Sequence, residues 1–251
     1  MPQLKVCFLS FFLFIMVVST FGREKLTIIT ENWAPLNYSQ DGLIKGPAVD
    51  VVRAIMTHLN LNSKIIMIPW KRGYSYTLNK NNQVLFSAAR TPERELLFKW
   101  VGPVATNKFF LYAKKDSLIK LTTLDDAKHM RIGVQRAGIT GELLKVRGFT
   151  KLMEVTSSRQ NAAKLLRNRI DFMVESSSTF LDTVKKNKMN KNDFRVVFPI
   201  KVLPMYIVFS KTTNEDVIIK WQKAYDDLYK RGIVKEIFKK HDALELYWNK
   251  Q

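Results

Sequence analysis

The sequence predicts an α/β fold composed of two lobes. Within residues 26–88, β-rich apolar runs alternate with segments whose apolar residues recur at helical spacing, in an order typical of a parallel sheet covered by helices. A second alternating series over residues 131–199 repeats this architecture without repeating the sequence. The composition agrees, because 251 residues with 46% hydrophobic and 25% charged residues suffice for one large globular domain or two small ones.

The first series begins with a strand at residues 26–30, which ends in a loop because Pro35 cannot continue a hydrogen-bonded ladder. Gly42 and Gly46 then predict an irregular segment. A helix, a strand, a second helix and a third strand follow, at residues 49–59, 63–69, from 70 onwards and 84–88.

The second series follows a strand at residues 109–112 and a polar region. We expect its strands at residues 131–134, 151–155, 171–174 and 194–199, and its helices at 138–145, 159–170 and 178–186. Ser157 or Ser158 is a suitable N-cap for the middle helix. A last strand at 205–209 leads to two helices, at 214–231 and 233–241, which are separated by Gly232.

Residues 1–22 predict a secretory signal peptide. Lys5 is their one charged residue, and residues 6–18 form an apolar run that only Ser10 interrupts. This run is too short to span a bilayer, although a membrane anchor is the competing interpretation. Cys7 lies in the run without a lipid-attachment pattern before it, so cleavage would leave a chain without cysteine, which suits an oxidising compartment such as the periplasm.

The chain is strongly basic, with a formal net charge of +19, or +18 once Lys5 is lost with the signal peptide. Such a charge attracts nucleic acid, anionic lipid or small anions. The lysines are spread along the chain and no nucleic-acid-binding motif accompanies them, so we expect no nucleic acid partner. A solvated basic surface without a specific role is the simplest interpretation.

Several charged and aromatic residues follow predicted strand ends. Trp33, Trp70, Arg72 and Arg94 all do so, and ligands of open parallel sheets bind at the carboxyl ends of the strands. We therefore expect these side chains to converge on one crevice. Arg90 and Arg94 lie in one proline-containing turn, which suggests that an anionic group is held there.

The motifs of several enzyme classes are absent from the sequence. It contains no nucleophile elbow, no phosphate-binding glycine loop and no Cys or His spacing suited to a metal. His58, His129 and His241 are scattered, so we predict no metal site, and we expect no cofactor.

An ordered set of motifs resembles the extracellular solute-binding proteins of family 3, the polar-amino-acid receptors of ABC importers. The set consists of residues 91–94 (TPER) after a strand end of small residues, a hinge-like strand at 107–113, Gly133-Val134 ahead of a turn with Gly138 and Thr140, and the run LLxNxID at 165–171. The similarity covers essentially all of residues 25–242.

The resemblance implies a two-lobed periplasmic binding protein fold of type II with two hinge crossings and a central ligand cleft. Lobe one would contain residues 25–105 and 206–251, and lobe two residues 109–201. The crossings would lie near 106–108 and 202–205. Ligand binding would close the lobes by hinge motion.

The resemblance also implies binding residues. Arg94 matches the arginine that grips a ligand carboxylate, and Ser87 and Ala89 match contacts beside it, although Ala89 lacks a hydroxyl group that many relatives use. Glu175 matches the acid that holds the ligand ammonium, but its longer side chain moves that charge.

On the second lobe, Thr140 and the helix-start amides near Gly138 match a further grip on the carboxylate. Trp33 matches the aromatic cover of the ligand, with plain core packing as the alternative. Trp70 and Arg72 would line the crevice. Arg90 is either a second anion contact or a surface charge.

We therefore expect a monomeric periplasmic protein, not an enzyme, that captures a small polar, carboxylate-bearing ligand for an inner-membrane ABC permease. Two alternatives remain open. One is a dehydratase or lyase of the same fold that uses Glu175 as proton donor. The other is a ligand sensor, or a surface-adhering protein that exploits the charge of +18.

Overall fold

The computed structural model describes residues 25–249. The predicted signal peptide and Cys7 lie outside the described residues. Within them, the strands are β1 (Thr27–Thr30), β2 (Tyr38–Gln40), β3 (Leu43–Lys45), β4 (Ile65–Met67), β5 (Gln83–Ala89), β6 (Phe98–Lys114), β7 (Ile132–Gln135), β8 (Leu152–Val155), β9 (Phe172–Ser176) and β10 (Phe194–Ser210). The α-helices are α1 (Pro47–His58), α2 (Trp70–Asn79), α3 (Pro92–Glu95), α4 (Ile139–Val146), α5 (Ser158–Leu166), α6 (Ser177–Lys186), α7 (Glu215–Lys230) and α8 (Ile233–Lys240).

Eight of these strands form one mixed sheet in the order β4-β1-β5-β10-β6-β9-β7-β8. The strands β4, β1 and β5 are parallel to each other, and so are β9, β7 and β8. We call these two groups, with the helices and loops attached to them, the β1 half and the β7 half. The predicted two-lobed α/β fold class is confirmed.

The long strands β6 and β10 join the two halves. They are 17 residues each and pair antiparallel from Phe98 with Ser210 to Lys114 with Phe194. The predicted crossings lie beside each other in this ladder, with Asn107 opposite Leu203. Because paired strands pass continuously between the halves, the predicted lobe boundaries and the hinge stay predictions.

The sequence predicted shorter strands in this region than the structure has. Residues 109–112 belong to the longer β6, and the predicted strands at 194–199 and 205–209 are parts of the one strand β10. Pro199 and Pro204 both lie within β10, although proline cannot donate to a ladder. The register shifts directly after Pro199, before Lys201, and again between Met205 and Ile207, whereas Pro204 lies in register opposite Thr106.

The segment that Gly42 and Gly46 predicted to be irregular is instead a hairpin. The strands β2 and β3 pair antiparallel, with Gln40 opposite Leu43. Asp41 and Gly42 form the turn with φ of 52° and 74°, as the type I′ turn of a two-residue hairpin requires.

The helices cover both faces of the sheet and bury an apolar core. Ile28, Val84 and Phe86 of the sheet are fully buried, as are Val52 of α1 and Tyr225 of α7. The helix α5 ends at Leu166, before the predicted end at residue 170, and Asn168 follows with φ of 54°. Across residues 25–249, none of the helices combines the length and apolar character needed to cross a membrane.

Candidate functional site

A cavity lies between the two halves at the carboxyl ends of the parallel strands. Its free volume, the space that the centre of a water-sized molecule can occupy, is about 30 Å³. Eight of the nine predicted site residues line it: Trp33, Trp70, Ser87, Ala89, Arg94, Gly138, Thr140 and Glu175. The structure thus brings together side chains from the ends of β1, β5 and β9 and from the start of α4, and their binding roles stay predictions.

Ser87 reaches the cavity through a bulge in β5. Ala88 and Phe86 pair with the consecutive residues Tyr206 and Ile207 of β10, so that Ser87 is the extra residue, with φ of 66°. The Ser87 hydroxyl donates a hydrogen bond to Asn37 Oδ1 at 2.6 Å. This bond holds an otherwise unfavourable backbone conformation in the wall of the cavity.

Arg94 is buried in the short helix α3 that follows β5, with 1% of its surface exposed. Its Nε and Nη2 atoms donate to the two carboxylate oxygens of Glu142 at 2.9 and 2.7 Å. Its guanidinium carbon lies 5.0 Å from the ring centroid of Tyr74 and 5.6 Å from that of Trp70. Arg94 thus pairs with a residue of α4 in the other half, and not with the neighbouring Glu93 or Glu95.

Arg90 has a different environment, although it lies only four residues earlier. Its guanidinium donates to the Glu95 carboxylate at the surface, at 2.5 and 2.7 Å, and its central carbon lies 5.4 Å from the ring centroids of both Trp100 and Tyr206. Arg90 does not line the cavity. The geometry agrees with the surface-charge interpretation of this residue.

Two carboxyl groups face the cavity, one from each half. Glu175 accepts hydrogen bonds from the Ser158 hydroxyl and from the Ser176 amide, the latter at 2.9 Å. Burial raises its pKa to about 7, against the lowering effect of those two donors. The predicted cap residue Ser158 therefore holds Glu175, while Ser157 takes the N-cap position of α5 without a side-chain cap bond.

Glu31 is the second carboxyl group, and it directly follows β1. It is 6% exposed, and its Oε2 accepts a hydrogen bond from Gln135 Nε2 at 2.8 Å across the cavity. Burial raises the pKa of Glu31 to about 7, with a further increase from the negative charge of Glu175 and a decrease from Gln135 and Arg94. Both carboxyl groups therefore titrate near neutral pH.

Two aromatic side chains of the β1 half complete the wall. Trp33 stacks on Phe109 with ring centroids 6.3 Å apart and an interplanar angle of 18°. The indole Nε1 of Trp70 donates to the Ala137 carbonyl of the β7 half at 2.7 Å. This bond, the Arg94–Glu142 pair and the Gln135–Glu31 bond all connect the two halves around the cavity.

The prediction that Arg72 lines the crevice is wrong. Arg72 is exposed and is not among the residues around the cavity. The buried face of α2 consists of Trp70, Gly73 and Thr77, which recur at helical spacing. A residue two positions after Trp70 is turned about 200° around the helix axis, and it therefore faces solvent.

The sequence reasoning missed several residues of the site. Glu31 could have been found, because it follows a strand end just as Trp33 does. Gln135 likewise ends β7. Glu142 carried no local signal, since its partner is 48 positions away. The other missed lining residues are Phe109, Ile139, Val174 and Met205. Across residues 25–249, no group of three His, Cys, Asp or Glu side chains is placed to hold a metal ion.

The cavity has ionisable and aromatic walls, and it lies between two halves that two long strands connect. This arrangement is typical of a two-lobed solute-binding protein. Within that class the chain belongs to the bacterial extracellular solute-binding proteins, family 3, which it matches over residues 26–242.

Solved structures with the same fold include binding proteins and a sensor. A histidine kinase sensor domain with similarity to periplasmic binding proteins has a TM-score of 0.80 at 18% identity and covers 89% of this chain and 98% of its own. An ancestral arginine-binding protein bound to arginine has a TM-score of 0.75 at 20% identity, over 87% and 98%. The arginine-, lysine-, histidine-binding protein ArtJ from Geobacillus stearothermophilus has a TM-score of 0.73 at 22% identity, over 86% and 94%. A sequence comparison with curated proteins gave no match.

Proposed function

We propose that the protein captures a small polar, amino-acid-like solute between its two halves in the periplasm and delivers it to an inner-membrane ABC importer. The observation that carries the proposal is the cavity itself, whose walls come from both halves and contain buried ionisable groups. A ligand that contacts both walls favours the closed arrangement by its differential contacts. No covalent step is needed for this function.

The family and the neighbouring structures support the proposal at the level of class. The family consists of extracellular solute-binding proteins, and ArtJ is described as binding arginine, lysine and histidine. The predicted signal peptide at residues 1–22 agrees with delivery to the periplasm. We expect the protein to act as a monomer.

A thermal-shift screen of amino acids, small carboxylates and polyamines tests the function. A true ligand at about 100 times its Kd should raise the Tm by roughly 5 °C or more, because it binds the folded state alone. Isothermal titration calorimetry would then give the stoichiometry, with one site expected. A screen without any shift, followed by calorimetry without heat, would refute solute capture.

A sensor function is the second candidate, because the neighbour with a TM-score of 0.80 is a sensor domain. Uptake of the labelled ligand separates the two, since an importer component is required for uptake and a sensor is not. If binding instead means adhesion through the basic surface, it should fall steeply with salt.

One observation favours the dehydratase alternative. Burial raises the pKa of Glu175 to about 7, which suits a general acid at neutral pH. A turnover assay with prephenate-like and arogenate-like acids tests it. Product formation that disappears in Glu175→Gln would favour the enzyme, and the absence of product would favour a binding protein.

A further inference from the structure

The charge that would receive a ligand carboxylate is already neutralised by the chain itself. Arg94 presents Nε and Nη2 as a fork, and both atoms bind the two oxygens of Glu142. This bidentate geometry is the one in which arginine binds carboxylates most strongly. The Arg94 side chain is 2% exposed, so water does not compete for this fork. Glu142 therefore occupies the place of an external carboxylate.

Glu142 also acts on the second feature that could attract an anion, the start of α4. It lies in the first turn of that helix, where the free amides carry partial positive charge. Thr140 and Gly138 at this helix start line the cavity. One internal carboxylate thus offsets both the guanidinium of the β1 half and the helix start of the β7 half.

The carboxyl groups of Glu31 and Glu175 form no ion pair among the described residues, although the charge of Arg94 lowers the pKa of Glu31. Their hydrogen-bond donors are the neutral groups of Gln135, Ser158 and the Ser176 amide. Among the described residues around the cavity, Arg94 alone is a lysine or arginine. When the two carboxyl groups ionise, the cavity therefore contains two negative charges that await a partner.

The aromatic walls suit a positively charged ligand as well. Trp33 and Trp70 line the cavity, and the electron-rich face of an indole ring attracts ammonium and guanidinium groups. An amino acid would bring a carboxylate among Glu31, Glu175 and Glu142. One nitrogen of Arg94, Nη1, has no hydrogen-bond partner among the described residues, and a hydroxyl group or water can satisfy it without adding charge.

We infer that the ligand of this cavity is an organic cation without a carboxylate, a diamine or a guanidinoamine whose cationic groups pair with Glu31 and Glu175. This inference rests on the proposed solute capture and names its ligand class. The family resemblance implied that Arg94 binds a ligand carboxylate, whereas in the structure Glu142 takes that position.

Matched ligand pairs that differ by one carboxylate provide the test. Cadaverine and lysine, putrescine and ornithine, and agmatine and arginine are titrated calorimetrically into the folded protein at pH 8. We expect the best amine to bind at least ten times more tightly than its amino acid, because the amino acid adds a third unpaired negative charge beside Glu31 and Glu175. This comparison needs no variant, so it does not depend on how any variant folds.

Two sets of variants locate the effect. Glu31→Gln and Glu175→Gln should each weaken the amine at least tenfold. Glu142→Gln frees the fork of Arg94, and should strengthen binding of the amino acid at least tenfold relative to its amine. The control is Glu95→Gln, which frees Arg90 outside the cavity and should leave the preference unchanged. A preference that Glu142→Gln leaves unchanged would overturn the assignment.

The outcomes separate this inference from the proposed function. If the unaltered protein binds an amino acid more tightly than its amine, the ligand class is wrong and solute capture stands. If none of the six compounds binds but the wider screen finds a neutral or anionic solute, the ligand class is again wrong. If the wider screen also finds nothing, solute capture itself is refuted.

Discussion

The two ends of the cavity differ in whether their charged side chains have partners of opposite charge. At one end, Arg94 and Glu142 neutralise each other across the gap between the halves. At the other, Glu31 and Glu175 have only neutral donors. The first end connects the halves without a ligand, and the second leaves charge for a ligand to satisfy. The difference suggests that specificity resides with the two carboxyl groups.

The largest expected effect comes from breaking the paired end. Glu142→Ala should lower the free energy of unfolding by about 3 to 5 kcal/mol, because it leaves the Arg94 guanidinium buried without a counter-charge. Urea denaturation of the ligand-free protein measures this change. The matched control is Glu95→Ala, which breaks the exposed pair with Arg90 and should cost less than about 1 kcal/mol. Equal losses in the two variants would show that the Arg94 pair behaves as a surface pair.

At the unpaired end, removing a charge should raise the stability of the ligand-free protein rather than lower it. Because burial raises the pKa of Glu31 from 4.5 to about 7, its contribution to stability is fully present below pH 4.5 and is lost as the pH rises through 7. Glu31→Gln removes this loss, and should stabilise the ligand-free protein above pH 8 by about 2 to 3 kcal/mol. Unfolding measured from pH 5 to pH 9 tests this.

Glu154 supplies a control, because its pKa is lowered whereas that of Glu31 is raised. Its hydrogen bond with Lys145 lowers its pKa, so its contribution is present above pH 4.5 and is lost as the pH falls. Glu154→Gln should therefore not stabilise the protein at pH 8. A stabilisation of the Glu31 variant that does not depend on pH would contradict the role of the buried charge.

Local sequence patterns suffice to find Arg94, Glu175 and Glu31, whereas only the tertiary arrangement identifies Glu142. Arg94 and Glu175 follow strands, so a rule about strand ends finds them. Glu142 lies inside a helix, and it becomes the partner of Arg94 only when two segments 48 residues apart meet. Glu31 also follows a strand end, although the sequence-based prediction named only the neighbouring Trp33.

The same division applies to the fold. Short parallel strands were predictable from their apolar runs, whereas β6 and β10 were not recognised as 17-residue strands. Their continuity depends on pairing with each other, and Pro204 within β10 interrupts the local pattern. Arg72 was misplaced for a simpler reason, since the spacing of Trp70, Gly73 and Thr77 would have predicted the buried face of α2.

A third prediction concerns the neutral connection between the halves. Trp70→Phe keeps the ring but removes the hydrogen bond to the Ala137 carbonyl, and should cost about 1 kcal/mol of stability. Because this bond joins the halves beside the cavity, ligand affinity should also fall, by about fivefold. Trp100→Phe is the control, since its indole donates to the Glu95 carbonyl five residues earlier in the chain and does not connect the two halves. Trp100→Phe should lose a similar amount of stability to Trp70→Phe. If it also lost a similar amount of ligand affinity, the bond across the halves would have no special role.

The smallest expected effect tests whether the cavity residues alone set the charge balance. Arg72 is exposed on α2, and the structure leaves its charge outside the cavity. Exposed charges are screened by water and salt, so Arg72→Ala should change ligand affinity by less than about twofold. Trp33→Ala, which removes an aromatic wall, should weaken the same ligand about tenfold. A loss of affinity above fivefold in Arg72→Ala at 0.15 M salt would contradict this expectation. It would show that charge outside the cavity also contributes to ligand binding.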